Sequence, residues 1–591
     1  MRMTSRRLPS WAGLGILVSL VTAGSTVGST ARAEGLETEW SGKIQTDLRF
    51  RVEDKSIGSV YDKASLPAGV ERNQNLLNLK FKATYGQFRG VADVELYLNG
   101  YQAAPKSFAD LSQFDKTQPY SIEAQSLYIE AKDLFTKGLD LRIGNQVVAW
   151  GVGDQFNPTN NLNADDLRDP LLFGRQLGNF MVKADYWLTD DLSFSGVLVP
   201  IFRPALLPRS AALGVGAVDR LPFTSTAARN RVEAESGFGA YYGVPTVVST
   251  VTPNLPEPRA ENMQFAYRIA GTLAEQDVAI SYYNGRTDFP QPVRNHTRQT
   301  TAPVCNPENS RDCTQGMLQT DVTLEYPRMH VYGLNVAGEI NPFKWIKDTI
   351  RGMGYRLEAA LVVPRAQGIT LTNDALMLGG LPQAAGEYDY AGNGQPGSGT
   401  RPNVVEQTPF MKWTLGLDYA FGDKVYTNVM WVHGLADEYG AGDWMHEGWA
   451  VRQSGVSTNK SDTLGKCIFP KRDGTQCATE ILHPRLGDYL VLGADYKITD
   501  AVLARLFTIW DLAGYTFESY DKSTKQREQG HYGLFTKEGF SAVIFPELDY
   551  NAGNGLELAV GALFLLGRDY TKFGDPAAGG SQFWTRARYS F

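Results

Sequence analysis

The side chains that could carry acid–base, nucleophilic or metal chemistry form none of the common motifs for such chemistry. Six histidines are spread over the later half of the chain: His296, His330, His433, His446, His483 and His531. None lies in a His-Glu-x-x-His metal motif or near a Gly-x-Ser-x-Gly nucleophile elbow. A Ser-His-acid triad assembled from separate strands stays open, because triads are defined by geometry and not by sequence order. We interpret the histidines as loop or rim residues, and we predict no catalytic residue, no metal and no cofactor.

The cysteines suggest covalent cross-links rather than a metal site. They occur as two close pairs, Cys305 with Cys313 and Cys467 with Cys477. Neither pair has the Cys-x-x-Cys spacing of a zinc site. An even number of cysteines in an oxidising compartment favours disulfides, although four cysteines allow three pairings. The short separations predict two local disulfides that restrict the motion of the loops carrying them.

The first 33 residues have the composition of a secretory signal peptide. Three arginines lie within residues 2–7, an apolar run covers 14–21, and small residues lead to Ala33. The apolar run is too short to span a bilayer as a helix. The sequence therefore predicts a signal peptide over residues 1–33 and a mature domain over 34–591. Its removal lowers the formal net charge from −7 to −11, which argues against nucleic acid as a partner.

Apolar and polar side chains alternate along many segments of the predicted mature chain. In the first segment, Trp40, Ile44 and Phe50 share one face, while Lys43 and Arg49 lie on the other. The same pattern recurs over 77–85, 92–98, 413–419, 490–496 and 583–591. A period of two residues is typical of a β-strand with one apolar and one polar face.

The length of these segments distinguishes a membrane barrel from a soluble sandwich. Sandwich strands contain about five or six residues, whereas a tilted membrane strand needs about nine to eleven. The alternating segments have the greater length, and aromatic residues such as Tyr85 and Tyr496 lie at their ends, as expected at a membrane interface. The sequence therefore predicts an all-β fold, a single antiparallel transmembrane β-barrel in the bacterial outer membrane.

The connections between the alternating segments are of two kinds. Short ones with turn-forming residues lie at 86–87, 189–191, 274–277, 422–423 and 499–500. Long polar ones lie at 53–71, 99–121, 150–179, 200–262, 287–327, 364–407, 435–486, 512–538 and 567–580. Outer-membrane barrels combine short periplasmic turns with long extracellular loops. With both termini in the periplasm, these loops predict about eighteen strands, with sixteen as the alternative.

The last strand ends in an aromatic residue. Phe583, Tyr589 and Phe591 occupy alternate positions with Thr585 and Ala587. This pattern resembles the C-terminal signal by which outer-membrane barrels are recognised for insertion. The expected partners are therefore the barrel-assembly machinery and outer-membrane lipid.

One segment of about thirty residues resembles a known family. It contains Gly-Asn-Gln at 144–146, Trp-Gly at 150–151 and Asn-Pro at 157–158. In these elements the chain is similar to the DUF1302 family of proteobacterial outer-membrane proteins. Asn145 stands where an arginine is usual, so the charge role of that position does not carry over. The resemblance implies a large barrel and a transport role, without a defined substrate.

Charges of both signs follow in the same segment. The candidate residues are Trp150, Asp165, Asp166, Arg168, Asp169 and Arg175. If residues 150–179 fold into the lumen, these charges form a constriction with a transverse field, and three aspartates favour cations. The alternative is a solvated surface loop that caps the barrel by packing alone.

Further charges lie on the polar faces of the early strands. We predict that they point into the lumen, because a charge facing lipid at mid-bilayer costs several kcal/mol. These residues are Lys43, Arg49, Lys80, Lys82, Asp93, Glu95, Glu130, Asp140 and Arg142. They form either a salt-bridged ladder that stiffens the wall or a set of charges that selects solutes.

The leading functional hypothesis is a porin-like channel for passive or facilitated diffusion of small polar or ionic solutes. Few residues separate the predicted cleavage site from the strand at Trp40, which leaves no room there for a plug domain. One alternative is an export conduit for a polymer or secreted substrate that works with periplasmic partners. Others are a barrel enzyme acting on lipids and a surface-display scaffold. Substrate and oligomeric state stay open.

Overall fold

The structure of the chain is a computed structural model that describes most of residues 35–591. The ranges not described within it are 59–62, 100–119, 170, 173, 209, 211–245, 302–304, 314–316, 342–351, 366–369, 379–380, 389–408, 439–479, 483–485, 522–525 and 569–570. The predicted signal peptide and the cysteines at 467 and 477 thus lie outside the described residues. No helix in the described part of the chain is long and apolar enough to span a membrane.

Eighteen antiparallel strands form one sheet, which confirms the predicted fold and strand number. We number them in chain order as β1 Leu36–Arg51, β2 Gly69–Tyr85, β3 Phe88–Asn99, β4 Tyr120–Ala131, β5 Leu139–Gln146, β6 Asn179–Trp187, β7 Leu192–Val199, β8 Gln264–Leu273, β9 Gln276–Arg286, β10 Arg328–Ile340, β11 Met353–Pro364, β12 Phe410–Phe421, β13 Val425–His433, β14 Asp488–Lys497, β15 Val502–Asp511, β16 Ser541–Gly553, β17 Leu556–Gly567 and β18 Gln582–Ser590.

The sheet closes on itself. Each strand pairs with the next one along the chain, and β1 also pairs with β18, where Ile44 lies opposite Tyr589 and Phe50 opposite Phe583. Closure leaves no unpaired sheet edge, which is the condition under which β-strands cross a membrane. The C-terminal Phe591 completes the seam, because its backbone exchanges hydrogen bonds of 2.9 and 3.0 Å with Gly42.

The alternation along β1 separates the two faces of the wall as expected. Trp40 and Ile44 are 68% and 43% exposed, whereas Asp47 and Arg49 are each 1% exposed. Large apolar side chains are exposed in the same way around the barrel, so that the outer surface is apolar and the polar residues face inward. A closed barrel with this distribution is an outer-membrane protein, because water would not stabilise such an apolar exterior.

The two ends of the barrel carry different connections, as the sequence predicts. Eight connections are short, from two residues at 86–87 to twelve at 341–352, and nine connections between the other strand ends are longer. The short-turn end faces the periplasm in outer-membrane barrels. We call the segment between β5 and β6, residues 147–178, loop 3.

Several loops contain secondary structure of their own. A five-stranded sheet joins three loops and comprises Thr246–Pro253, Leu318–Glu325, Gln291–Gln299, Thr370–Asn373 and Gly386–Tyr388. Further strands are Lys55–Gly58, Lys63–Leu66, Cys305–Asn306, Asn309–Cys313, Leu376–Leu378, Leu381–Gln383, Glu480–Leu482, Tyr515–Asp521 and Gln526–Tyr532, and single 3-10 turns cover Ala260–Asn262 and Pro576–Ala578. The backbone register places Cys305 opposite Cys313, which is compatible with the predicted local disulfide.

Candidate functional site

Loop 3 starts where β5 leaves the wall of the barrel. Gly144 has a φ of +136°, and a Cβ there would lie 2.4 Å from the carbonyl oxygen of Leu127 on β4, so the close approach of the two strands requires glycine. Asn145 then donates to the carbonyl oxygen of Ala124 at 2.5 Å. These contacts explain the Gly-Asn element in structural terms: it fastens β5 to β4 just before the chain turns inward.

On one side of the lumen, loop 3 is held by arginines of the wall. Arg49 on β1 donates to both carboxylate oxygens of Asp169, at 2.5 and 2.7 Å, and Arg72 on β2 donates to one of them at 2.9 Å. Arg49 also pairs with Asp47 at 2.7 Å. Burial alone would raise the pKa of Asp169, but the guanidinium groups of Arg49 and Arg72 hold that pKa well below its usual range.

Two loop arginines extend this network along β3 and β4. Arg168 forms a bidentate pair with Glu123, at 2.7 and 2.9 Å, and Arg175 contacts Glu95 at 2.5 Å. Both arginines also pair with Asp166, at 2.9 and 3.2 Å. Charges of loop 3 and of the wall therefore neutralise each other at short range, so Asp166 and Asp169 do not form the free negative cluster on which the expected cation preference depended.

Loop 3 also reaches the opposite wall. Thr414 on β12 donates its hydroxyl to the carbonyl oxygen of Phe156 at 2.7 Å, and Glu358 on β11 accepts hydrogen bonds from loop 3. In the ring of eighteen strands, β11 and β12 lie nearly opposite β1 and β2. A loop that contacts both walls through inward-facing side chains crosses the lumen.

Apolar packing accompanies these polar contacts. Trp150 and Leu162 of loop 3 lie in a buried cluster with Met181, Val331 and Ala360 from the inner wall. Phe156 lies in a second cluster, with wall residues that include Met430, Tyr489, Ile509, Val543 and Leu563. Loop 3 is thus packed inside the barrel and is not a solvated cap.

A cavity of about 160 Å³ lies between loop 3 and the loop end of strands β9 to β13. Its lining combines apolar side chains such as Phe156 and Phe410 with the carboxylates Asp165 and Asp288. The backbone N–H of Asp165 donates to Asp288 at 2.8 Å. Burial raises the pKa of Asp288 to about 6, and burial together with the Asp288 carboxylate raises the pKa of Asp165. Asp165 therefore lies beside another carboxylate, whereas Asp166 and Asp169 of loop 3 lie beside arginines.

Most of the remaining charges of the early strands lie in ion pairs along the wall. Lys80 pairs with Asp93 at 3.2 Å, and Arg142 pairs with Glu130 at 2.8 Å. Lys82 pairs with Glu39 at 3.0 Å. Asp140 instead accepts a hydrogen bond from the backbone N–H of Asp133 at 3.0 Å. Lys43 forms no ion pair in the described part of the chain. This arrangement favours the ladder interpretation over a row of free charges.

Other predicted residues lie at the surface or remain apart. Phe583, Tyr589 and Phe591 are about half exposed on the lipid-facing side of the seam, at 49%, 46% and 51%. Among the described residues, no group of three His, Cys, Asp or Glu side chains is arranged to hold a metal. His433 contacts Asp488 at 3.0 Å and stacks on Trp413, at the loop end of the wall.

Sequence reasoning missed the wall residues that receive loop 3. Glu358, Thr414, Arg72 and Glu123 are all polar residues at inward-facing positions of alternating strands. Alternation therefore predicts that they face the lumen, as it does for the charges selected from the early strands. It does not predict which of them contact a loop that is distant in sequence.

Comparison with known proteins relates part of the chain to one family. Residues 95–360 match DUF1302, a family described as proteins of unknown function. The resemblance predicted from the Trp-Gly and Asn-Pro elements is confirmed, and the matched range contains both loop 3 and Glu358. No curated protein matches the chain by sequence.

Several solved structures are similar in fold to the barrel. OccAB1 of Acinetobacter baumannii is 8% identical, with 96% of this chain and 99% of that chain covered and a TM-score of 0.41. OccD3 (OpdP) of Pseudomonas aeruginosa is 8% identical, with 97% and 96% covered and a TM-score of 0.39. The outer membrane channel DcaP of Acinetobacter baumannii is 9% identical, with 96% and 100% covered and a TM-score of 0.32. Assignment to the outer membrane rests on the closure and apolar exterior of the barrel itself.

Proposed function

We propose that the protein is a porin-like channel for the passive or facilitated diffusion of small polar or ionic solutes, with loop 3 as its constriction. The observation that carries this proposal is the attachment of loop 3 to opposite walls, through Asp169 on one side and through Glu358 and Thr414 on the other. A loop fixed across a wide barrel narrows the path without closing the barrel, and the lining of that path sets selectivity.

The charge distribution indicates which solutes the constriction favours. Asp166 and Asp169 are neutralised by arginines, so neither attracts free cations strongly. Asp165 and Asp288, at the cavity on the loop side of the constriction, form no ion pair with a basic side chain in the described part of the chain, although Lys412 lines the same cavity and partly offsets the rise in both pKa values. We therefore propose a modest cation preference that depends on this carboxylate pair, while size is the main criterion for passage.

An export conduit for a polymer is the weaker candidate. Such a conduit needs an open lumen, whereas the two apolar clusters and the ion pairs hold loop 3 inside this one. A periplasmic complex that co-purifies with the barrel and opens it would favour export instead.

The proposal also includes the predicted export signal, assembly signal, lipid contacts and disulfides. Residues 1–33 direct export, the alternating aromatic residues at the C-terminus are recognised by the barrel-assembly machinery, and lipid surrounds the apolar exterior. The two cysteine pairs form local disulfides in the oxidising exterior. The backbone register of Cys305 and Cys313 supports one of these disulfides.

Planar-bilayer recording of the purified protein tests the channel function. Wild-type protein is compared with a variant that lacks residues 160–176, which removes Asp169 and both loop arginines but leaves the strands intact. We expect discrete conductance steps from the wild type and larger steps from the deletion variant. Heat-modifiable migration in gels checks that both barrels are folded. Folded wild-type protein that never conducts would contradict the channel, and equal conductance of the two would remove loop 3 as the constriction.

A further inference from the structure

Glu358 has an unusual set of partners for a carboxylate inside a barrel. It lies on the inward face of β11 with 0% exposure. One carboxylate oxygen accepts from the backbone N–H groups of Val152 and Gly153, at 2.7 and 3.0 Å. The other accepts from the N–H and the hydroxyl of Thr159, both at 2.8 Å. An ionised carboxylate has about four acceptor sites, so loop 3 alone occupies its full capacity.

The sequence of loop 3 is shaped to receive this carboxylate. Gly151 has a φ of +131°, and a Cβ there would lie 2.7 Å from Oε2 of Glu358 and 2.8 Å from Oδ1 of Asn157. At Gly153, a Cβ would lie 2.4 Å from the carbonyl oxygen of Phe156. Two glycines thus allow consecutive N–H groups to converge on one anion, in the manner of an anion-binding backbone nest. The Trp-Gly element of the family resemblance forms part of this turn.

The hydrogen bonds to Glu358 fix the position of loop 3 more strictly than apolar packing does. The clusters around Trp150 and Phe156 hold loop 3 against the wall, but hydrophobic contact is not directional and allows sliding. Four hydrogen bonds to a fully buried carboxylate require a single position, because a shift by one residue leaves a buried charge without donors. The Glu358 contacts therefore determine where this half of loop 3 lies relative to β11.

We propose that Glu358 is the positioning residue for the constriction: its carboxylate, bound by the turn of residues 151–159, sets the aperture of the channel. The inference rests on the proposed channel function for its conductance consequences. The placement of the turn on Glu358 has a second readout that does not depend on conduction.

The test combines changes on both sides of the contact. Glu358→Ala removes all four hydrogen bonds, Glu358→Gln keeps one oxygen acceptor, Thr159→Val removes the hydroxyl donor, and Gly151→Ala forces the turn away from the carboxylate. Glu557→Gln is the matched control, because Glu557 is a wall carboxylate near the turn end that pairs with Arg588 and not with loop 3. Heat-modifiable migration selects the folded barrels of each variant.

Two measurements are made on the folded barrels. Open-channel noise and conductance should rise in the order wild type, Glu358→Gln, Glu358→Ala. Chymotrypsin cleavage after Trp150 or Phe156 should be at least about tenfold faster in Glu358→Ala, the change in equilibrium that loss of one hydrogen bond to a charged group produces. Thr159→Val should have a smaller effect in Glu358→Ala than in the wild type, since the nearer acceptor of its hydroxyl, Glu358 at 2.8 Å, is already absent and only Asn335 at 3.2 Å is left. Glu557→Gln should match the wild type in both measurements.

The outcomes separate the two claims. If the wild-type barrel never conducts but Glu358→Ala is cleaved faster than the wild type, the channel function is rejected. The positioning of the turn by Glu358 is then still supported. Wild-type conductance, noise and cleavage in folded Glu358→Ala would overturn the inference, as would a full additional effect of Thr159→Val on top of Glu358→Ala. If Glu358→Ala fails to fold, conductance, noise and cleavage are measured on Gly151→Ala and Glu358→Gln instead. Higher conductance or faster cleavage than in the wild type supports the inference, and wild-type values in both variants overturn it.

Discussion

Replacing Asp169 by Asn should release the half of loop 3 that lies against β1 and β2. The substitution keeps the size of the side chain but removes the charge that faces Arg49 and Arg72. Both arginines are then left in a buried environment, where Arg49 is 1% exposed and Arg72 is 7% exposed. The barrel wall itself should persist, because the ladder of strand hydrogen bonds does not include this side chain.

The free-energy cost of Asp169→Asn depends on how many partners the two arginines keep. Removing one member of a buried ion pair costs about 3–5 kcal/mol. Arg49 still contacts Asp47 at 2.7 and 2.9 Å, so the lower end of this range applies. About 3 kcal/mol corresponds to roughly a hundredfold change in the ratio of released to attached loop. Because the pKa of Asp169 in the attached loop lies well below its usual range, the attachment should have its full strength above that usual range and should weaken progressively as the pH falls through and below it.

Limited trypsin digestion measures this release, because Arg168 and Arg175 are cleavage sites within the same half of loop 3. In the wild type their side chains lie in ion pairs with Glu123 and Glu95, which should protect the adjacent bonds. Cleavage in Asp169→Asn should be faster by up to about a hundredfold, the ratio derived above. Asp500→Asn, in an exposed periplasmic turn, is the control and should digest like the wild type. Equal digestion of all three folded barrels would refute the role of the Asp169 ion pairs.

Three further predictions concern orientation, covalent links and pH. Epitope tags inserted near Asn393 should be reachable on intact cells and tags near Asp423 should not, because Asn393 belongs to a long connection of the sequence and Asp423 to a short turn between two wall strands. The reverse result would invert the orientation. Non-reducing peptide mapping should recover Cys305 linked to Cys313, and free thiols in the exported protein would contradict this pairing. Cation preference, measured as a reversal potential, should increase as the pH rises from 5 to 7. The reason is that burial raises the pKa of Asp288 to about 6, so its carboxyl group is neutral below that pH and charged above it. Asp288→Asn should reduce this pH dependence.

The sequence carries nearly all the information that specifies the wall of the barrel. Period-two alternation is a local property, and a shift by one residue would turn Arg49 toward lipid and Ile44 toward the lumen. The penalty for that exchange is large in a membrane, which explains why strand number, loop positions and inward charges could be derived from pattern alone. Turn residues such as Gly86 and Gly422, both with positive φ, mark the short connections for equally local reasons.

The interior of the barrel could not be derived in the same way. Glu358 and Thr159 are 199 residues apart, and Arg49 and Asp169 are 120 residues apart. No local pattern couples such positions, because each side chain satisfies the inward-facing rule equally well with water or with any other partner. Which arginine meets which aspartate depends on the path of loop 3, and that path depends on packing against strands that are distant along the chain.

The pairing of these charges changes how the lumen should be interpreted. Loop 3 brings a carboxylate to arginines of one wall and brings backbone N–H groups to a carboxylate of the other. In both places a buried charge is satisfied by a loop group, so charge near the constriction serves mainly to hold loop 3 in place. A count of inward-facing acids and bases therefore overstates the field that a solute meets. Because Asp165 and Asp288 lie at the cavity outside these pairs, the proposed channel should select solutes by charge at that cavity and by size at the attached loop 3.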